Sequence, residues 1–308
     1  MMPQSSSVPA WVRPHLAAVR ALAIATVGLG LAYPAVVTGV ALLPGLHHKA
    51  EGSLVDVNGH TVGSALIGQA FTDADGNPLR GYFQPRPSAA GGGYDPTATA
   101  ASNLGPESVV DTLPDPSASA DSAEAAGRSS LLTQVCARSV AVAAFEGLPA
   151  SDGARPYCTG GGVGAVLAVF GPRNAAGDVT TVARVVSLNE ACPARPFVRE
   201  WKGATVECGK PGEDYAAGLV VPVRGDAPAH PVVPPDAVTA SASGLDRDIS
   251  PAYARLQAAR IAKERGLDRN TVLSLIADHT TRRALGFMGE PAVDVFGLNR
   301  ALDRAHAP

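Results

Sequence analysis

The sequence predicts an α+β fold: one N-terminal transmembrane helix, then a mixed α/β extracytoplasmic domain carrying an inserted small β-rich unit. Three observations predict it. A charge-free apolar run lies near the N-terminus, hairpin and helix-capping signals alternate beyond it, and all four cysteines sit in one central segment. At 308 residues the chain is long enough for one or two domains with a real core.

The span is the run ALAIATVGLGLAYPAVVTGVALL, Ala21 to Leu43, with no charged residue. About 20 apolar residues cross the hydrocarbon layer as a helix. Pro34 and the three glycines are tolerated there. A cleaved signal sequence has an apolar core of about 7–15 residues and a small-residue cleavage site. This run is longer and no Ala-x-Ala site follows it, so a retained anchor is expected. Arg13 and Arg20 precede the span and only Lys49 follows closely, which places the N-terminus in the cytoplasm. The cysteines point the same way. Cys136, Cys158, Cys192 and Cys208 all follow the span, and none makes a C-x-x-C pair. Two disulfides in an oxidising exterior account for them. Four cysteines allow three connectivities, which the sequence does not decide; Cys136–Cys158 with Cys192–Cys208 closes the shortest loops.

Beyond the span, Leu54 to Val57, Asn58-Gly59 and His60 to Ile67 form a β-hairpin signal, because both turn residues must adopt positive φ. Residues 68 to 106 are rich in glycine and proline yet hold Phe71, Tyr82, Phe83 and Tyr94, which implies an ordered irregular region over a core. Asp111 to Ser130 has no aromatic residue and reads as a mobile connector. A separate unit is expected from Leu131 to about Val223. It has a helix at its start and strands at Gly164 to Phe170, Val179 to Leu188 and Ala217 to Val223. GDAPAHPVVPPDA, with four prolines, then forms a stiff bridge. Ser250, Pro251 and Gly266 cap the next helix, and two more are expected near Asp268 and Asp294. HTTRRALGFMGEPAVDV between these last two reads as a strand and a turn around Gly289-Glu290-Pro291. The boundaries are a cytoplasmic tail at 1–20, the transmembrane helix at 21–43, and the first part of the soluble domain at 47–110. The inserted cysteine-containing unit with its connector takes 111–225, and the second part of the soluble domain takes 226–308.

A net charge of −3 with 17% charged residues excludes a basic nucleic-acid-binding surface. There is no phosphate loop with its lysine, no H-E-x-x-H and no G-x-S-x-G elbow, and GGGVG at 160–164 reads as a turn. The spacing of His279, Asp246 and Ser243 supports no catalytic arrangement, so no catalytic or metal-binding residue is assigned. TASASGLDRDIS, Thr239 to Ser250, runs into a helix start, where phosphate groups are often held. In the helix that follows, Tyr253, Leu256, Gln257 and Arg260 share one arc. The two polar members have two readings: they border a buried stripe with the arginine stem lying across it, or they form a contact face. Ser243, Asp246, Gln257 and Arg260 are therefore candidate partner-facing residues.

Several stretches together resemble the C subunit of the bacterial Kdp potassium-transporting ATPase: GSALIGQAF (63–71), YFQPRPSAAGGGYDP (82–96), SNLGP (102–106), VTASASGLDRDISP (238–251) and LGFMGEPAVDVFGLNRALD (285–303). The near-N-terminal span is also similar to that family's single membrane helix. That family usually has glycine, proline and histidine where this chain has Ala242, Arg247 and Asp248, so no histidine role carries over to Asp248. The cysteine-containing segment resembles inserts in actinobacterial members. The resemblance implies a non-catalytic subunit that assembles with a channel-like potassium-binding subunit and a P-type ATPase subunit in the cell membrane. It also implies a chaperone role that raises the ATPase subunit's affinity for ATP; ATP is implied by the resemblance only. An exported domain meets no cytoplasmic ATP, which favours a cap over the external potassium entrance. The alternative is a membrane-anchored exported binding or hydrolytic protein acting alone.

Overall fold

The computed structural model describes residues 9, 11–90, 95, 97–98, 104–119 and 122–305. Expectations for residues 1–8 and 10 of the tail and for Tyr94 fall outside the described residues, as do parts of the 82–96 and 102–106 motifs.

The apolar helix runs from Val12 to Ala41, 30 residues, and is long and apolar enough to cross a membrane. At 1.5 Å per residue it measures about 45 Å, more than the hydrocarbon thickness of about 30 Å. It starts nine residues before the expected Ala21 and stops two short of Leu43. The helix has three parts: α1 (Val12–Ala25), a π-helical stretch (Thr26–Ala32) and α2 (Tyr33–Ala41). Pro34 explains the π turn. Proline lacks an N–H and its ring collides with the carbonyl four residues back, and widening the helix relieves the collision. The Tyr33 N–H accordingly bonds to the Gly28 carbonyl, five residues back. A short helix α3 (His47–Ala50) follows, then strands β1 (Leu54–Val57) and β2 (His60–Ser64) pair antiparallel across Asn58 (φ 52°) and Gly59 (φ 79°), as the sequence predicts.

The chain divides into two compact units, 1–66 and 67–308. The second begins with the irregular segment 67–90 and reaches helix α4 (Ala123–Ala126) and helix α5 (Leu131–Glu146). It continues through strands β3 (Val166–Phe170), β4 (Arg184–Ala191), β5 (Glu200–Trp201), β6 (Ala204–Gly209) and β7 (Leu219–Pro222). These form one sheet in the order β5-β6-β4-β3-β7, antiparallel except for the parallel β4–β6 pair. Val166 to Val169 are buried one after another because both faces of β3 are covered. Val166, Ala168, Val186 and Leu188 fill one side of the sheet, and Leu167, Val169, Val185 and Val206 the other. The chain ends with strand β8 (Asp248–Ile249), helix α6 (Pro251–Arg265), helix α7 (Arg269–Asp278), strands β9 (Thr280–Thr281) and β10 (Ala292–Asp294), and helix α8 (Val295–Ala305). Ser250 Oγ accepts from the Tyr253 N–H at 3.0 Å, and Gly266 closes α6 at φ 62°.

Three expectations need correction. The cysteine-containing segment is not a separate compact unit, since 67–308 is one. Helix α5, expected to open that unit, buries Ala143 among Phe83, Val233, Ile249, Ile261 and Leu298 in the main core, while Leu132 near its start packs against the sheet. The helix is apolar on more than one side, and a sequence pattern does not say which neighbours cover it. The segment 111–130 is not a loose connector at its ends: Asp111 bonds to the Ser130 N–H and the Thr133 hydroxyl, and Thr112 bridges to Arg128. The Pro-rich stretch after β7, expected as a stiff bridge, also joins the core, because Val233 within it is fully buried.

Cys136 is bonded to Cys158 and Cys192 to Cys208, with Cα–Cα distances of 5.5 and 5.1 Å. The first bridge fastens the segment after α5 to that helix, and the second ties the turn after β4 to β6. With partners 22 and 16 positions apart in sequence, each restricts the unfolded chain by about 3 kcal/mol on the chain-entropy account. Replacing Cys192 and Cys208 by alanine should lower stability by about that amount. Hydrogen exchange should quicken in 147–218 before it does in α6 and α8. Equal loosening of α6 would contradict this.

Candidate functional site

The centre of the second unit is the stretch Arg80 to Gln84, which crosses the core without regular structure. A buried irregular backbone must find partners for its polar groups. Here side chains of α6 and α8 supply them for five consecutive carbonyls. Arg260 Nη1 donates to the carbonyls of Arg80 and Tyr82, Arg265 Nε to Gly81, Asn299 Nδ2 to Phe83 and Gln257 Nε2 to Gln84. The two amides work in both directions: Asn299 Oδ1 accepts from the Phe83 N–H at 2.8 Å, and Gln257 Oε1 from the Gln84 N–H at 2.7 Å. Each carboxamide thus imitates a neighbouring strand. Phe83, fully buried, is held in the core by this clamp.

Arg260 uses the rest of its fork on Gln257 Oε1 (2.8 Å) and on the Glu146 carboxylate (3.0 and 3.2 Å), with Phe145 beneath its guanidinium at 4.5 Å. Burial pushes the Glu146 carboxyl up, and the Arg260 charge opposes that shift. The partner-facing expectation for Gln257 and Arg260 is thereby corrected. They are 0% and 3% exposed and face inward, because the main chain at 80–84 needs their donors. The other reading of the arc, an arginine bordering a buried stripe, is also incomplete, since the guanidinium itself is buried.

TASASGLDRDIS is a shaped loop. Ser241 exchanges backbone bonds with Pro87 and Ala89, Arg86 bridges the Thr239 carbonyl and Asp246 (2.5 Å), and the Gly68 N–H donates to the Leu245 carbonyl. Gly68 has to be glycine, since a Cβ there would lie 2.3 Å from the Asp246 carbonyl oxygen. At the start of α6, the Asp236 carboxylate already accepts from the Ser250 N–H and hydroxyl. A second anion at that position would face this carboxylate. Ser243 and Asp246 are half-buried; the Ser243 hydroxyl accepts from the Leu245 N–H. His279 Nδ1 lies 2.8 Å from the Leu275 carbonyl at the end of α7 and does not pair with Ser243 or Asp246. Among the described residues no group of three metal-ligating side chains converges. A cleft of about 490 Å³ is lined by Pro106, Ser108, Val109, Leu131, Leu132, Val135, Tyr157 and Pro222, a mostly apolar wall.

The sequence reading missed one feature. Between β9 and β10 the chain closes a tight turn by paired bonds between Ala284 and Met288, with Gly286 and Gly289 at φ 80° and 78°. The turn puts Leu285, Phe287 and Met288 in solvent, 83%, 71% and 52% exposed. The available signal was three large apolar residues interleaved with glycines where a polar turn was expected.

A family model described as KdpC, K+-transporting ATPase, c chain, matches residues 15–144 and 220–304, passing over 145–219. Curated relatives carry the name potassium-transporting ATPase KdpC subunit. The one from Kineococcus radiotolerans is 36% identical over 287 residues, covering 93% of this chain and 91% of the relative. Those from Caulobacter vibrioides and Mycobacterium tuberculosis are each 32% identical, covering 92% and 95% of this chain and 89% and 98% of the relatives.

The clamp makes a graded prediction for urea unfolding of the full chain in detergent. Arg260→Ala strands a buried carboxylate and should cost about 3–5 kcal/mol. Gln257→Leu leaves the Gln84 peptide groups unpaired and should cost about 1–3 kcal/mol. Adding Glu146→Gln to Arg260→Ala should recover part of the loss; no recovery would mean that Glu146 is not the stranded charge.

Proposed function

The chain belongs to the KdpC family, the c chain of K+-transporting ATPases, and from that premise we propose that it is a non-catalytic accessory subunit of an ATP-driven potassium importer. The family match on both sides of 145–219 and across the apolar helix carries the reading. Its partners on this reading are a channel-like potassium-binding subunit and a P-type ATPase subunit. The short tail lies in the cytoplasm and the domain outside. Arg13 and Arg20 on the N-terminal side of the charge-free run support that orientation, as do four cysteines bonded in two pairs. Outside, the domain acts as a cap over the potassium entrance. The segment 145–219, with most of the five-stranded sheet, is an insert built onto α5, narrower than the 111–225 that the sequence suggests.

The chaperone role toward ATP belongs to this reading only as an effect passed through other subunits. The loop 239–250 spends its groups on the protein's own main chain, and the Asp236 carboxylate sits at the α6 start. The segment has no cationic cluster to match three phosphates.

Deleting the gene should abolish growth at micromolar potassium and leave growth at high potassium intact; normal growth at low potassium contradicts the subunit reading. For orientation, the bonded native cysteines allow a single free thiol to be added. A cysteine at the exposed Ala242 should react with an impermeant maleimide in intact cells, and one at Ser5 only after lysis. The opposite pattern would put the domain in the cytoplasm.

A further inference from the structure

We propose that the turn bearing Leu285, Phe287 and Met288 is a docking anchor that enters an apolar pocket, rimmed by acidic groups, on another subunit of the transporter. The proposal rests on the accessory-subunit reading above.

The exposure is exceptional within the second unit. Its other exposed large apolar residues, such as Val232 and Tyr157, lie at 43% or below, whereas Leu285 and Phe287 stand at 83% and 71%. Contiguous apolar exposure of this kind marks interaction sites. The display is also rigidly built. Leu285 holds φ 53°, a left-handed conformation that is unfavourable for a non-glycine residue. The paired bonds between Ala284 and Met288 and the Arg283–Glu290 ion pair (2.6 Å) keep the turn closed beneath it. A preset shape favours a shaped receptor, since binding then costs less ordering.

Charge and area narrow the occupant. Arg282, Arg283 and Glu290 are exposed, and Arg283 is turned onto Glu290, which leaves Arg282 as the outward cation of the turn. A single cation is a weak attachment to an anionic lipid surface, but it suits an acidic rim beside an apolar pocket. Three side chains fall far below the roughly 800 Å² per partner of a stable pair of free proteins. A second, freely diffusing copy of this chain would need a larger contact than these three side chains offer. A co-assembled subunit is different: its high effective concentration lets a small anchor suffice.

The test places p-benzoylphenylalanine at Phe287 in the full chain within the purified complex, with the exposed Lys202 as the comparison site. Irradiation should join this chain to one other subunit with at least tenfold the yield seen at Lys202. Arg282→Glu should lower that yield at least tenfold. Adducts with phospholipid alone, adducts between two copies of this chain, or no adduct in an assembled complex would overturn the proposal, and a yield indifferent to Arg282→Glu would overturn the acidic rim. Absence of other subunits from the wild-type preparation before irradiation is the separate failure of the subunit reading.

Discussion

The five consecutive carbonyls from Arg80 to Gln84 have no strand beside them, and side chains of α6 and α8 satisfy every one. Each buried unpaired group would cost about 1–3 kcal/mol. Gln257, Arg260 and Arg265 come from one helix and Asn299 from another, so α6 and α8 must stand on either side of the crossing segment at fixed rotation. That requirement puts Phe83 in the core and puts Ile261 and Leu298, neighbours of the clamping residues, beside it. The Arg260–Glu146 pair brings α5 into the same arrangement. Removing two charges from water costs several kcal/mol per ion, and the pair offsets this by giving the arginine partners on several sides.

Helix α5 is consequently the element on which two parts of the molecule meet. Its last turns belong to the main core through Ala143 and Glu146, and its first turn covers the sheet through Leu132. The Cys136–Cys158 bridge fastens the outgoing chain to the helix it has just left.

The polar residues that first suggested a contact face turn out to be structural, and the contact candidates are apolar and lie in a turn. The two facts share one physical cause. A guanidinium and a carboxamide are the right groups to satisfy a buried main chain, so they are drawn inward. A Leu, Phe and Met with no room in the core remain outside unless another surface covers them. The loop 239–250 joins this arrangement through the Asp236 carboxylate, which holds the start of α6 at Ser250.

By itself the sequence determined the elements governed by local physics. These are the apolar helix from the charge-free run, the hairpin from Asn58-Gly59, and the ends of α6 from Ser250, Pro251 and Gly266. Its spaced motifs also carried the family. Only the tertiary structure decided where Gln257, Arg260 and Asn299 point, because their partners lie 173 to 216 residues away in sequence, in a segment without periodicity. It likewise decided that α5 belongs to the main core and that Leu285, Phe287 and Met288 are exposed. Burial depends on which surfaces meet, and no local pattern contains that.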